Sequence, residues 1–308
     1  MIEIQRILCP IDFSEFSRPA LAHAVAIAGW YESSLALLHV WPFIPVVAIP
    51  PGSGVLPSPP TLSPEERGRL AADLKRLGED AGADLSLDVA VVEGQTAVEI
   101  LRVAGEMPAD LVVMGSHGRS GFERLLLGSV TEKVVRKALC PVLTVPRPTS
   151  EAGPEAPALF KRIVCAIDFS DCSLHALHYA MSLAQEADAR LILVHVIERP
   201  STIGPGADDM AFPGPRSLQE YVAIAEQEAR TRLEDVVPDE VRAYCKVDTV
   251  LATGKPYREI LRVAAESQAD LLVVGTHGRG AVDRMLFGST TQHLVRQAAC
   301  PVLTLREG

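Results

Sequence analysis

The sequence predicts an α/β fold that is built twice, as two doubly wound domains in one chain. Two observations lead to this prediction. Segments of the first half return in the second, among them RILCPIDFS as RIVCAIDFS, LALLHV as LILVHV and CPVLTV as CPVLTL. Within each half, short and continuously apolar runs alternate with segments of helical period. This alternation is typical of a parallel sheet that helices bury on both faces.

Each element of the first half follows from this alternation. Apolar runs predict five strands, at Ile7–Ile11, Leu35–Val40, Leu85–Val92, Leu111–Met114 and Val142–Val145. Apolar positions three and four residues apart predict the intervening helices, at Ser17–Trp30, Pro64–Gly78, Ala97–Met107 and Ser129–Leu139. In the second half His39 returns at His195, 156 residues on, and Gly94 returns at Gly254, 160 residues on. The added length is expected in one loop between these points.

The two halves are expected to be separate domains, because about 145 residues suffice to bury a core. We assign residues 1–146 to the first domain and residues 160–308 to the second. Residues 147–159 are rich in Pro, Ala and Glu and lack apolar periodicity, which is typical of a solvated linker. Two other stretches rich in Pro and Gly, residues 42–64 and 199–217, predict long loops after the second strand of each half.

Composition narrows the classes of function. A formal net charge of −10 and a pI near 5.3 argue against nucleic acid or an anionic membrane as the partner, since both require a basic surface. No apolar run approaches the roughly 18 residues of a membrane span, and the chain enters a strand at once without a secretory leader. We therefore expect a soluble, cytoplasmic protein. The six cysteines include no CxxC pair and do not resemble a disulfide or zinc framework.

A glycine-rich loop follows the fourth strand of both halves. In LVVMGSHGRSGFERLLLGSV, residues 111–130, Gly115 and Gly118 precede Gly128 and Ser129, which start a helix. The copy LLVVGTHGRGAVDRMLFGST, residues 271–290, keeps the spacing at Gly275, Gly278, Gly288 and Ser289. Glycines let backbone N–H groups approach a ligand, and a helix N-terminus favours phosphate. The loop therefore predicts a polyphosphate site, although it matches neither the dinucleotide fingerprint nor a Walker loop.

A helix start without any ligand is the alternative explanation for the end of this loop. Ser129 with Glu132, and Ser289 with Gln292, fit the capping-box pattern. A cap accounts for the Gly-Ser step alone. It does not account for the two earlier glycines at the carboxyl end of a buried strand, so phosphate binding is the favoured interpretation.

A carboxylate follows the first strand of both halves, at Asp12 and Asp168. In a doubly wound sheet the first and fourth strands are neighbours, and their carboxyl ends frame the ligand crevice. Asp12 would then face the loop at Gly115 and could accept a hydrogen bond from a ribose or an adenine amine. The alternative is that each carboxylate is the N-cap of the following helix. A carboxylate opposite a phosphate loop favours a nucleotide as the ligand.

Together these motifs resemble the universal stress protein family in its ATP-binding type, present here in tandem over about residues 2–146 and 160–306. The resemblance implies, in each half, a five-stranded parallel sheet in the order 3-2-1-4-5 with helices on both faces. It also implies residues for ATP. These are Asp12 and Asp168 at the adenosine, Val40 and Val196 at the adenine, Met114 and Val274 beside the base, and a phosphate loop of Gly115, Gly118, Arg119, Gly128, Ser129 and Val130 or Gly275, Gly278, Arg279, Gly288, Ser289 and Thr290.

The resemblance further implies partners. Mg²⁺ is expected beside the phosphates of ATP, which would supply most of its ligands because the sequence shows no cluster of metal carboxylates. The last strand, CPVLTV or CPVLTL, is in this family the edge through which domains pair, so the two copies would form an intramolecular pseudo-dimer. Further pairing into a homodimer and the identity of a regulatory protein partner stay open.

Three classes of function remain. We expect an ATP-binding stress-response regulator that acts through nucleotide-dependent conformation or partner binding, with no catalytic or metal-binding residue of its own. A slow Mg²⁺-dependent ATPase is the first alternative, because His117 and His277 lie in the loops. A loop histidine bonded to the backbone is the favoured explanation of these residues, since no repeated carboxylate or lysine completes a set that could activate water. A nucleotide-independent scaffold or chaperone is the second. His39 and His195 fall inside strands and are expected to be core histidines.

Overall fold

The computed structural model describes most of the chain and separates it into two compact units. The described residues are 2–42, 62–82, 86–117, 127–146, 160–198, 218–278 and 288–306. One unit is Glu3–Leu159, and the other is Phe160–Gly308 together with Met1–Ile2. The expected linker and most of the two long loops lie outside the described residues, as do Gly118, Arg119 and Arg279 of the expected site.

The first unit alternates strands and helices as predicted. Its elements are β1 (Arg6–Pro10), α1 (Ser17–Tyr31), β2 (Ser34–Pro42), α2 (Pro64–Asp80), β3 (Leu87–Gly94), α3 (Thr96–Glu106), β4 (Leu111–Gly115), α4 (Ser129–Lys137) and β5 (Val142–Val145). All strand pairs are parallel, and the order within this unit is β3-β2-β1-β4-β5. The expected order 3-2-1-4-5 is confirmed here.

The second unit has the same sheet and, among the described residues, one helix more. Its elements are β6 (Arg162–Ala166), α5 (Asp171–Glu186), β7 (Arg190–Ile197), α6 (Leu218–Asp235), α7 (Asp239–Tyr244), β8 (Val247–Thr253), α8 (Pro256–Glu266), β9 (Leu271–Gly275), α9 (Ser289–Gln297) and β10 (Val302–Leu305). The strands are parallel in the order β8-β7-β6-β9-β10, which is again 3-2-1-4-5.

The short helix α7 corrects one expectation. The added length of the second half was expected in a loop, but between α6 and β8 the chain forms the six-residue helix Asp239–Tyr244. Pro238 occupies its N-cap position, and Asp239 and Glu240 place negative charge in the first turn, where it suits the helix dipole. Val241 is buried and anchors this helix. So short a segment shows too little apolar periodicity to be recognised in the sequence.

The core of each unit lies between the sheet and its helices. Ile7, Leu8 and Cys9 in β1 are fully buried, as the continuous apolar run predicts for a strand covered on both faces. Burial raises the pKa of the Cys9 thiol to about 12, so this side chain stays protonated and packs as a small apolar group. Of the helices that the structure describes, none combines the length and apolar character that a membrane span requires.

Candidate functional site

The site expected in each unit lies where the first and fourth strands of its sheet run side by side. In the first unit Ile7 pairs with Leu111, and in the second Ile163 pairs with Leu271. Parallel strands end at the same edge, so the segments after β1 and β4 are brought together, as are those after β6 and β9. This is the edge at which the sequence placed the carboxylate and the glycine loop.

The carboxylate after the first strand closes a tight turn in both units. Oδ1 of Asp12 accepts hydrogen bonds from the backbone N–H of Ser14 at 3.0 Å and from its hydroxyl at 2.6 Å. Oδ1 of Asp168 accepts the same pair from Ser170 at the same distances. One carboxylate oxygen is thus committed to the turn, and the negative charge is held in place at the strand end.

The proposed alternative role of these carboxylates as helix N-caps is wrong. The N-cap of α1 is Phe16, which makes no side-chain cap. The N-cap of α5 is Ser170, whose hydroxyl accepts a hydrogen bond from the N–H of Ser173 at 3.3 Å. Asp12 and Asp168 precede the caps because the chain needs the intervening turn to reverse direction before each helix starts.

A phenylalanine in a left-handed conformation follows each carboxylate. Phe13 has φ 58° and Phe169 has φ 62°, a backbone region that residues other than glycine seldom adopt. Such a conformation costs about 1–3 kcal/mol and is concentrated at functional sites. Sequence reasoning missed these residues, although the repeated DFS triplet was a signal that could have found them.

A histidine of the second strand hydrogen-bonds to the backbone just before this turn. Nδ1 of His39 lies 2.7 Å from the carbonyl oxygen of Ile11, and Nδ1 of His195 lies 2.7 Å from that of Ile167. A carbonyl only accepts, so Nδ1 carries the proton in both rings. The ring of His39 also contacts Phe13, with 4.9 Å between centroids. Both histidines are buried and hydrogen-bonded, as the sequence predicts for core histidines.

The first glycine of each loop allows close packing between a strand and a helix start. A Cβ on Gly115 would lie 2.9 Å from the carbonyl oxygen of Phe16. A Cβ on Gly275 would lie 2.8 Å from Sγ of Cys172 and 3.1 Å from its backbone carbon and oxygen. Real Cβ atoms do not approach backbone so closely, so glycine is required here by the fold itself.

The glycine before the last helix is also explained by backbone contacts. A Cβ on Gly128 would lie 3.1 Å from the carbonyl oxygen of Ser116, and a Cβ on Gly288 would lie 3.0 Å from that of Thr276. The N–H of Gly128 donates to the same Ser116 oxygen at 2.9 Å. These contacts give a packing reason for Gly128 and Gly288, and their expected part in ligand binding stays a prediction.

Gly278 differs, because its neighbour is the carboxylate of the site. A Cβ there would lie 2.6 Å from Oδ2 of Asp168, the oxygen opposite the one bound by the turn. The absence of a side chain at Gly278 brings the loop backbone directly against Asp168. Among the described glycines, Gly278 is the one that brings the loop after β9 next to the carboxylate after β6.

Helices α4 and α9 start without a side-chain cap. Gly128 and Gly288 occupy their N-cap positions, and Ser129 and Ser289 are the first helical residues. The capping-box alternative is therefore wrong, since a box requires the serine at the N-cap. A helix N-terminus without a side-chain cap has backbone N–H groups and a partial positive charge to offer to an anion. The structure thus retains the feature that the sequence analysis assigned to phosphate.

In the second unit these parts surround a cavity of about 740 Å³. Its lining contains every expected residue of this unit that the structure describes: Asp168, Val196, Val274, Gly275, Gly278, Gly288, Ser289 and Thr290. This volume is typical of a site for a small organic ligand. The polar groups and the helix N-terminus thus converge on one concave space.

Helix α6 contributes a wall of the cavity that sequence reasoning missed. Ala225, Glu228, Ala229 and Arg232 all line it. They recur three and four residues apart and so share one face of the helix. No glycine motif or repeat marks these positions, which is why the sequence analysis passed over them; the regular spacing of the two alanines with Arg232 was the only signal.

The expected residues of the first unit occupy corresponding places. Val40 lies near the end of β2 and pairs with Val92, while Met114 precedes Gly115 at the end of β4. Both side chains are buried, with exposures of 7% and 5%. Val130 follows Ser129 in the first turn of α4. Met114 corresponds to Val274 of the second unit, which is also buried at 5%.

Comparison with known proteins identifies the family. The model of the universal stress protein family matches residues 3–146 and again residues 159–306. The chain belongs to the universal stress protein family. It carries two such domains, which confirms the expected tandem arrangement; that they are of the ATP-binding type stays a prediction.

Individual relatives agree with this assignment. Universal stress protein MJ0531 of Methanocaldococcus jannaschii is 37% identical over 148 residues, which are 48% of this chain and 85% of that protein. Universal stress protein Rv2005c of Mycobacterium tuberculosis is 30% identical over 248 residues, 79% of this chain and 78% of that protein. The crystal structure of a universal stress protein from Archaeoglobus fulgidus covers 100% of both chains with a TM-score of 0.65 at 22% identity, a likeness of fold.

The loop histidines of this universal stress protein bond to their neighbours. Nδ1 of His117 lies 2.9 Å from the hydroxyl of Ser116, and Nδ1 of His277 lies 2.9 Å from the hydroxyl of Thr276. His277 also lines the cavity. Within the described part of the chain, no group of three His, Cys, Asp or Glu residues is arranged to hold a metal ion.

Proposed function

We propose that this universal stress protein binds ATP or a related adenine nucleotide, one molecule in each half, and signals occupancy to a partner through its conformation. Family membership supports the stress-response role. The observation that carries the nucleotide proposal is the cavity of the second unit, which gathers a carboxylate, apolar strand ends and a helix N-terminus in one space. The regulatory partner, the pseudo-dimer, the homodimer and the cytoplasmic location stay predictions.

The groups that line the cavity suit both the adenosine part and the phosphates of an adenine nucleotide. Val196 and Val274 offer apolar contacts to a base, and the Oδ2 oxygen of Asp168 is placed to accept a hydrogen bond from an adenosine hydroxyl or amine. Backbone N–H groups at Ser289 and Thr290 would receive the phosphates at the start of α9. Bound Mg²⁺ would neutralise phosphate charge, with the phosphates and water as its ligands.

Binding is favoured over turnover because the described site offers no strong base for water. Asp168 is held by the turn beside the glycine loop, and the ring of His277 is tied to Thr276. Hydrolysis needs a group that takes a proton from water in line with the last phosphate. Slow Mg²⁺-dependent hydrolysis with His277 near the phosphates is the second candidate, supported by its place in the cavity lining.

The decisive experiment counts nucleotides in freshly purified protein and in matched variants. Asp12→Asn and Asp168→Asn keep an Oδ1 acceptor for the serine turn and remove the charge, so the fold should survive. Released nucleotide is identified by chromatography and mass spectrometry, and ATP affinity is measured by calorimetry with Mg²⁺. We expect two ATP sites in the parent, one in each single variant and none in the double variant.

Other outcomes have defined meanings. A parent that neither carries nor binds nucleotide supports the scaffold or chaperone alternative. Unchanged ATP affinity in both single variants would refute the site assignment. Multiple turnovers to ADP, abolished by His117→Ala with His277→Ala at unchanged affinity, would make ATP hydrolysis the primary function.

A further inference from the structure

The face of α6 that lines the cavity has an unusual composition for a helix packed on a sheet. A helix face that serves only packing carries large apolar residues. This face presents Ala225 and Ala229, which leave space, and Glu228 and Arg232, which carry charge. Ala229 is buried, whereas Glu228 and Arg232 are exposed at the cavity mouth. The composition is that of a surface facing a polar ligand.

Arg232 has a defined position within this face. Its guanidinium carbon lies 4.1 Å from the centroid of the Phe169 ring, a cation–π contact. The Phe169 ring in turn lies 4.8 Å from the ring of His195, which is fixed by its bond to Ile167. The left-handed turn at Phe169 aims that ring at α6. The planar, positively charged guanidinium of Arg232 therefore lies against an aromatic ring whose position is fixed.

The order of the strands shows which end of the ligand Arg232 would meet. Helix α6 packs on β7 and β8, whereas α9 begins after β9. In the order β8-β7-β6-β9-β10 these lie on opposite sides of β6. Arg232 thus borders the side of the cavity that Val196 and Phe169 line, away from the helix start at Ser289. On the proposed function, that side receives the base and the other receives the phosphates.

We propose that Arg232 stacks on the nucleobase in the second half; the inference rests on the proposed function. A guanidinium that already covers an aromatic ring presents its second flat face to a base, and such stacking is sequence-tolerant but strong. In the first half the corresponding Phe13 is 39% exposed, while Phe169 is half-buried beneath Arg232.

The test separates the base from the phosphates. In an Asp12→Asn background, which leaves the second site, Arg232→Ala and Arg232→Lys are titrated with ATP, adenosine and inorganic tripolyphosphate. Arg230→Ala is the matched control, because Arg230 is exposed on the same helix and does not line the cavity. We expect Arg232→Ala to weaken ATP and adenosine about tenfold, as for a lost cation–π stack, with tripolyphosphate and the control unchanged.

Arg232→Lys keeps the charge but lacks the planar group, so we expect it to lose most of the same affinity. An equal loss for tripolyphosphate would overturn the inference and make Arg232 a phosphate contact. Unchanged adenosine affinity, with only a lower melting temperature, would also overturn it and leave Arg232 as a cover for Phe169. A background protein that binds no ATP would instead refute the proposed function, and the inference with it.

Discussion

The two halves form the same turn at the expected site, here called the floor, and differ in what covers the phenylalanine of that turn. Asp12 and Asp168 close the same turn at the same distances, and each is followed by a phenylalanine with a left-handed φ. In the second half Arg232 lies over Phe169, whereas Phe13 of the first half is 39% exposed. The two halves thus share the backbone geometry of this turn and differ in what covers its phenylalanine.

The difference follows from what each part is bonded to. The floor is fixed by hydrogen bonds and contacts to backbone atoms, such as the bond from His195 to Ile167 and the approach of Gly275 to Cys172. Substitutions there disturb the fold. The wall comes from side chains of α6, of which Glu228 and Arg232 are exposed, so substitutions there should disturb the fold less. Three sets of substitutions at matched positions test how far this distinction extends.

The largest effect on stability is expected from His39 and His195, the buried histidines that hydrogen-bond to the backbone just before the turn. His39→Ala and His195→Ala would each leave a buried carbonyl without its donor and create a cavity, which costs about 2–4 kcal/mol. The loss should be equal in the two units, because both bonds are 2.7 Å long. Hydrogen exchange of the strand amides, read separately for each unit, measures it.

A substitution to asparagine serves as the control for this pair. Its amide N–H group can reach the position of Nδ1, so His39→Asn and His195→Asn should recover part of the lost stability. A clear loss in one unit alone would show that the floors are not equivalent.

A smaller effect is expected at the first glycine of each loop. Gly275→Ala would force a Cβ to within 2.8 Å of Cys172 Sγ and 3.1 Å of its backbone, and we expect a destabilisation of about 1–3 kcal/mol. Gly115→Ala should behave alike against the carbonyl of Phe16. Gly105→Ala, where nothing lies within 4 Å and the residue is helical, should be neutral or stabilising. Urea denaturation of the three variants compares them; equal stability of all three would show that the strand and helix can move apart.

The smallest effect is expected from an ion pair that only the second unit has at this position. Arg190 hydrogen-bonds Asp248 across β7 and β8, while the first unit has Ser34 in place of Arg190 and Asp88 in place of Asp248. The bond to Arg190 holds the pKa of Asp248 below its usual range. The folded-state pKa is lowered, so the pair stabilises the fold above about pH 4 and this contribution disappears as the pH falls through the folded pKa.

Asp248→Asn should therefore destabilise the second unit slightly at pH 7 and not at all near pH 2. The effect is small because both side chains are partly exposed, 46% and 34%, and solvent screens them. Melting temperatures at low and high salt measure it, since screening should remove the difference. Asp88→Asn is the matched control, and an equal shift in that variant would mean that the ion pair contributes nothing.

Much of the fold could be predicted because the same order of apolar runs and glycines occurs in both halves of the sequence. The continuous apolar run of β1 and its copy in β6 are short and followed by turn residues, as buried strands are, and the glycine spacing marked the edge of the sheet at which the site is expected. Of the residues that line the cavity of the second unit, Asp168 and the glycines Gly275, Gly278 and Gly288 with Ser289 were named from these motifs, whereas Val196, Val274 and Thr290 were named from the family resemblance.

The parts that escaped prediction depend on contacts that no local pattern encodes. The left-handed turn at Phe169 is held by its surroundings, since the residue itself disfavours that conformation. The cap positions at Gly128 and Gly288 lie one residue from the predicted serines, a distinction that only backbone angles make. The face of α6 that meets the cavity depends on how this helix docks on β7 and β8.

The glycines of the loop are needed for two different reasons. Gly115 and Gly275 are demanded by the meeting of strand and helix, so a relative that had abandoned its ligand would still have to retain them. Among the described residues, a Cβ on Gly278 would come within 4 Å of the Asp168 carboxylate alone, a side chain that can move, so substitution there should be tolerated first once no ligand selects against it. When sequences of this family are compared, loss of the glycine at the position of Gly278 should therefore indicate a domain that no longer binds a ligand.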